Sequence, residues 1–117
     1  MGLREQILNC NDFKWVDVVV PEWENVTIRI ITMDGGQRSD FEARLYNDET
    51  KKLDSKRFME NLIIATARDP LTGASLFEPE DAILLSAKSS AVLSRLAEIA
   101  AKLNGVGDQA DEAKKNS

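Results

Sequence analysis

Between Trp15 and Val20 the chain alternates, with Val16, Val18 and Val20 on one side of an extended backbone and Asp17 and Val19 on the other. Val26 to Ile31 repeats the pattern, placing Val26, Ile28 and Ile30 on one face and Thr27 and Arg29 on the opposite one. Pro21 ends the first run, and the segment Pro21–Asn25 is short enough to close both runs into a β-hairpin. A lone hairpin is marginal in water, so the rest of the chain has to cover its apolar face.

Beyond Ile31 the pattern turns helical. Thr32 can cap a helix start, but Gly35 and Gly36 weaken a first turn there. Ser39–Asp40–Phe41–Glu42 offers a better capping box, with Phe41 and Leu45 at i, i+4 spacing. Asn47 to Lys52 reads as a polar loop. Asp54 or Ser55 then opens a helix whose stripe is Phe58, Met59, Leu62, Ile63 and Thr66, and Asp69–Pro70 stops it. Leu71 to Phe77 is a turn with short extended flanks.

Glu78–Pro79–Glu80–Asp81 predicts the next helix start, with Pro near the first helical position and carboxylates at the positive end of the dipole; Ile83, Leu84 and Leu85 give that helix an apolar side. Lys88 to Leu103 is the longest predicted helix. Its Val92, Leu96, Ile99 and Leu103 form a seam that Leu93, Ala97 and Ala100 widen. The seam is too short for a firm coiled coil, so packing within the domain is expected, with self-association as the alternative. Asn104–Gly105 ends the helix. Ahead of the hairpin, Leu3, Ile7 and Leu8 suggest a short helical segment closed by a turn at Asn9–Asp12.

The elements define an α+β fold: an N-terminal β-hairpin packed on a mainly helical domain of about four helices. One domain is expected over residues 1–106, followed by a polar tail, 107–117, that carries no core residue and is expected to be disordered.

Composition narrows the function. Hydrophobic residues at 43% and charged residues at 30% are an ordinary globular balance. The net charge of -5, with 15 basic residues scattered among 20 acidic ones, argues against nucleic acid, because neutralising phosphates needs a basic surplus on one face. No signal peptide and no membrane-length apolar run is found, so a cytoplasmic protein is expected. The sequence has no histidine and one cysteine, which removes the commonest general base and any thiolate cluster or internal disulfide.

Cys10 is expected to be a small buried hydrophobe. Trp15 is assigned to the core. Trp23 lies in the predicted hairpin loop, where partner contact and packing are equally open, and it is the residue singled out for partner binding. Glu78, Glu80 and Asp81 cluster where a helix start attracts carboxylates. Asp34–Gly35–Gly36 and Gly105–Val106–Gly107 lack the pattern of a phosphate loop and read as loops. No catalytic, cofactor or metal residue is assigned, and a binding protein is expected rather than an enzyme.

Several segments together resemble a known family. The opening Leu3–Asn9, the run closing in Val20–Pro21–Glu22–Trp23, the helix at Asp40–Phe41–Glu42, Leu76–Asp81, and Lys88–Leu96 with its Leu103–Asn104–Gly105 ending are similar in order and spacing to tail assembly chaperones of siphophages and prophages. The resemblance implies a protein that binds the long tape measure protein in the host bacterial cytoplasm, keeps it soluble, and helps bring major tail tube subunits to it. It implies no catalytic positions. An acidic phage-encoded inhibitor and a generic protein–protein adaptor are the alternatives, the former requiring carboxylates arrayed along one surface.

Overall fold

The computed structural model describes residues 2–47, 50–53 and 56–106. The two alternating runs form β1 (Trp15–Val20) and β2 (Val26–Ile31), antiparallel, with Val18 opposite Ile28 and Asp17 opposite Arg29. The pleat sorts their side chains by parity. Val20, Ile28 and Ile30 are buried and Val18 packs against the core, while Val19 is exposed on the other face. Trp15 shares the parity of Asp17 and not of Val16, so it faces outward and is 55% exposed, which corrects its assignment to the core. It is covered in part by the Arg29 guanidinium, 5.1 Å from its ring centroid, which also makes two hydrogen bonds to Asp17 at 2.8 and 3.1 Å. Arg29 holds the Asp17 carboxyl below its ordinary range, chiefly through those bonds.

The loop between the strands is a 3-10 turn, Pro21–Trp23, followed by Glu24 and Asn25, both at φ 60. The hairpin is extended by a strand absent from the sequence expectation, β5 (Ala67–Arg68), which pairs with β2 at Ile30–Ala67 and Arg29–Arg68 to give a sheet of order β1-β2-β5. A second small ladder joins β3 (Tyr46–Asn47) to β4 (Lys52–Leu53), where a loop was expected.

Helix α2 (Gly35–Leu45) starts earlier than predicted. Asp34 Oδ1 accepts the Gln37 N–H at 2.7 Å, and the Asp34 N–H donates to Gln37 Oε1 at 2.9 Å. This reciprocal box satisfies the helix end, so the cap is neither Thr32 nor Ser39, and Asp34–Gly35–Gly36 is a helix start and not a loop. Phe41 and Leu45 are buried as their spacing predicts.

Helix α3 (Phe58–Thr66) follows Arg57, which sits at φ 61; the predicted starts Asp54 and Ser55 lie outside the described residues. Leu62, Ile63 and Thr66 are fully buried, and the Thr66 hydroxyl donates to the Leu62 carbonyl at 2.8 Å. The helix ends at Thr66, before the predicted stop at Asp69–Pro70, because Ala67 enters the sheet. Phe58 meets Phe41 edge to face, with ring centroids 5.8 Å apart.

Helix α4 (Ala82–Ser86) spans little more than one turn, so it buries only the i, i+3 pair Ala82 and Leu85. Ile83 and Leu84 are 64% and 68% exposed, contrary to their predicted place on an apolar side. Helix α5 (Ser90–Asn104) confirms the long seam: Val92 and Leu96 are fully buried, and Ile99 and Leu103 pack against the core within the domain. Gly105 closes it at φ 68. Asn104 does more than end the helix. Its side-chain oxygen accepts the Met33 N–H at 2.7 Å and its amide donates to the Ile31 carbonyl at 3.2 Å, tying α5 to the end of β2.

The core therefore lies between one face of the sheet and α2, α3 and α5, with α3 packed centrally against the other two. Helix α1 (Leu3–Asn9) forms where a short helical segment is expected, with Asn9 still in the helix and not in the closing turn, and every residue in it is exposed. The expected tail, 107–117, lies outside the described residues.

Candidate functional site

Where β5 parts from β2 the surface opens into a groove of about 740 Å³, within the size range of ligand-binding clefts. One wall is the hairpin corner and the start of β2. The 3-10 turn, begun by Pro21 with its fixed φ, sets Trp23 against the core while leaving part of its ring in the groove. Glu22, beside it, accepts two hydrogen bonds from the Arg95 guanidinium at 2.8 and 3.0 Å and so ties the corner to α5. Those bonds hold the Glu22 carboxyl down at about 2.

The opposite wall is the loop from Asp69 to Phe77. Asp69 Oδ1 accepts the Leu71 N–H at 2.8 Å, its carbonyl accepts the Gly73 N–H at 2.7 Å, and its own N–H donates to the Ala74 carbonyl at 2.9 Å. Gly73 takes φ 76, which lets the chain reverse, and Ser75 bridges back to Arg68. A tightly bonded turn thus presents Leu71, 94% exposed, with Leu76 also exposed and Phe77 packed on the core at the base. Leu71, Leu76 and the Trp23 ring thus put apolar surface around the groove, on a turn held by its own hydrogen bonds.

Trp23 belongs to the groove while also packing on its own domain. Its companions Leu71, Leu76 and Phe77 fall in a segment that the sequence marks only as a turn. Their signal there is three large apolar side chains among turn residues, and only the folded chain brings them to Trp23.

Elsewhere the candidate chemistry disperses. Cys10 is exposed, not buried as expected, since it caps α1 outside the core. Glu78 and Glu80 are exposed, and the Glu78 N–H donates to Asp81 Oδ2 at 2.8 Å, as a helix start requires. No cluster of three metal-ligating side chains occurs among the described residues. Glu60, which the sequence pattern does not single out, is buried, and its carboxylate lies 2.7 Å from the Ser86 hydroxyl, which joins α3 to α4. A second cavity, of about 210 Å³, is lined by Arg44 and Arg68 together with Asp40 and Glu78. Among the described residues, no helix is long and apolar enough to cross a membrane.

The fold and the groove define a small α+β domain, a three-stranded sheet covered on one face by helices with an apolar cleft at its open edge. Among solved structures this architecture is similar to that of the tail assembly chaperone of bacteriophage HK97, with a TM-score of 0.59 and 20% sequence identity over 86% of this chain and 91% of that one. At that identity the likeness is one of fold. No protein-family model matches the chain, and no curated protein matches it.

Proposed function

We propose that the protein is a non-catalytic tail assembly chaperone that binds the tape measure protein of a long-tailed phage in the host cytoplasm, keeps it soluble and helps bring tail tube subunits to it. The observation that carries this reading is the shared fold with the HK97 chaperone over 86% of the chain. The apolar groove adds a place to hold an aggregation-prone client, and the acidic balance of the chain favours solubility while it does so.

Co-expression with the tape measure protein encoded alongside tests the proposal. The client is expected to move from the pellet into a soluble complex that co-purifies with this chain. A client that stays in the pellet, unchanged by co-expression, removes the chaperone reading.

A further inference from the structure

We propose that the groove takes an extended, apolar, positively flanked segment of another polypeptide by strand addition to β2. The inference rests on reading this groove as the client-holding surface, and it specifies the conformation and charge of what is held.

The backbone supplies the first reason. The Thr32 N–H donates to the Lys14 carbonyl at 3.0 Å, so the main chain at position 32 faces β1. The alternation of an antiparallel ladder then turns Ile30, Ile28 and Val26 toward β1, and Arg29 and Thr27 toward the opposite edge. Arg29 is met there by Arg68 of β5. Continuing the same register would bring Pro70 opposite Thr27, and proline has no N–H to give. The chain turns away at that point, so among the described residues Thr27 has no strand partner on its outer side.

The walls supply the second. A residue of an added strand that points inward meets Ile28, Trp23 and Phe77, and its neighbours point outward past Leu71. An apolar helix laid on the same walls would cover the Thr27 N–H and C=O without bonding them, since its own main-chain groups are already used. A buried unmade hydrogen bond disfavours that occupant, whereas an extended segment makes the bonds.

Charge supplies the third. Among the described residues, Asp69 is the only ionisable one lining the groove, and Glu24 stands exposed at the hairpin corner while Glu22 is taken up by Arg95. The fitting segment therefore carries Lys or Arg beside its apolar stretch, and not Asp or Glu.

The test uses the full chain and fluorescein-labelled peptides of alternating valine and threonine, flanked by lysine, flanked by glutamate, or flanked by lysine with alternate amides N-methylated. Anisotropy is expected to show the lysine peptide binding, with N-methylation weakening it by about tenfold or more and glutamate flanks weakening it by several-fold. Leu71→Ser, which removes the apolar contact without adding charge, should weaken it by about tenfold, and because Leu71 is almost wholly in water the variant should fold as the parent does. Amide exchange at Thr27 should slow when the lysine peptide is added.

Absence of binding, binding indifferent to N-methylation, or an unchanged Thr27 amide would overturn strand addition. So would tighter binding of a helical apolar peptide. If peptides fail while co-expression still solubilises the tape measure protein, strand addition falls and the chaperone reading stands. If the lysine peptide binds with Thr27 protected while the tape measure protein stays in the pellet, strand addition stands and the chaperone reading falls.

Discussion

Glu22 couples the chemistry of one carboxyl to the shape of the groove. Its carboxyl is lowered from 4.5 to about 2, first by the hydrogen bonds from Arg95 and then by its own backbone N–H. A carboxyl lowered on folding contributes stability that is present above its unfolded value and is lost as pH falls through its folded value. The window here runs from about 4.5 down to about 2. A carboxylate resonance of Glu22 followed by NMR should titrate with a midpoint near 2, and the stability difference between the parent and Glu22→Gln should be full above 4.5 and vanish as pH approaches 2. A midpoint at the ordinary value would mean that the bridge to Arg95 is not held in solution and that Trp23 is fixed by its packing alone. Both partners are half exposed, so added salt should raise the midpoint toward its ordinary value.

At the scale of elements, α2 depends on its cap. Its first two residues are glycines, which disfavour a helix by about 1 kcal/mol each relative to alanine, so the start is fixed by Asp34 and Gln37 and not by propensity. Asp34→Ala is expected to lower stability by about 1 kcal/mol in urea denaturation, with Asp34→Ser restoring most of it. No change would show that Phe41 and Leu45 alone position the helix. The same glycines explain why the sequence pattern displaces this start toward Ser39, where propensity is better. The strands β1 and β2 and the helix α5 were legible because each repeats its period several times. β5 was not, because two residues carry no period and its assignment depends on β2 being alongside. Burial followed the pattern for Val20, Ile30 and Leu96, but failed for Trp15, where residue size outweighed strand parity, and for Ile83 and Leu84, where a one-turn helix had one face to bury. The groove was the least legible feature, since Trp23 and Leu71 meet only through the pairing of β2 with a strand the sequence did not announce.

The whole molecule has a packed part and an unpacked one. The core joins the sheet to α2, α3 and α5, whereas α1 has seven residues, buries none, and is joined to β1 by the exposed stretch Cys10–Lys14. Isolated helices shorter than about 12 residues are marginal in water, so α1 gains firmness only when something covers Leu3, Ile7 and Leu8. In dilute protein the amides of Ile7 and Leu8 are therefore expected to exchange within about tenfold of the rate of an unstructured chain, while those of Ile30 and Leu96 exchange only on global unfolding. Replacing Leu3, Ile7 and Leu8 together by serine should move the unfolding free energy by no more than about 0.5 kcal/mol. Protection of α1 that rises with protein concentration would identify a second copy as the cover, and protection that arises only on adding the tape measure protein would identify the client. Protection in dilute protein alone, accompanied by a loss of stability in the serine variant, would instead place α1 within the folded core.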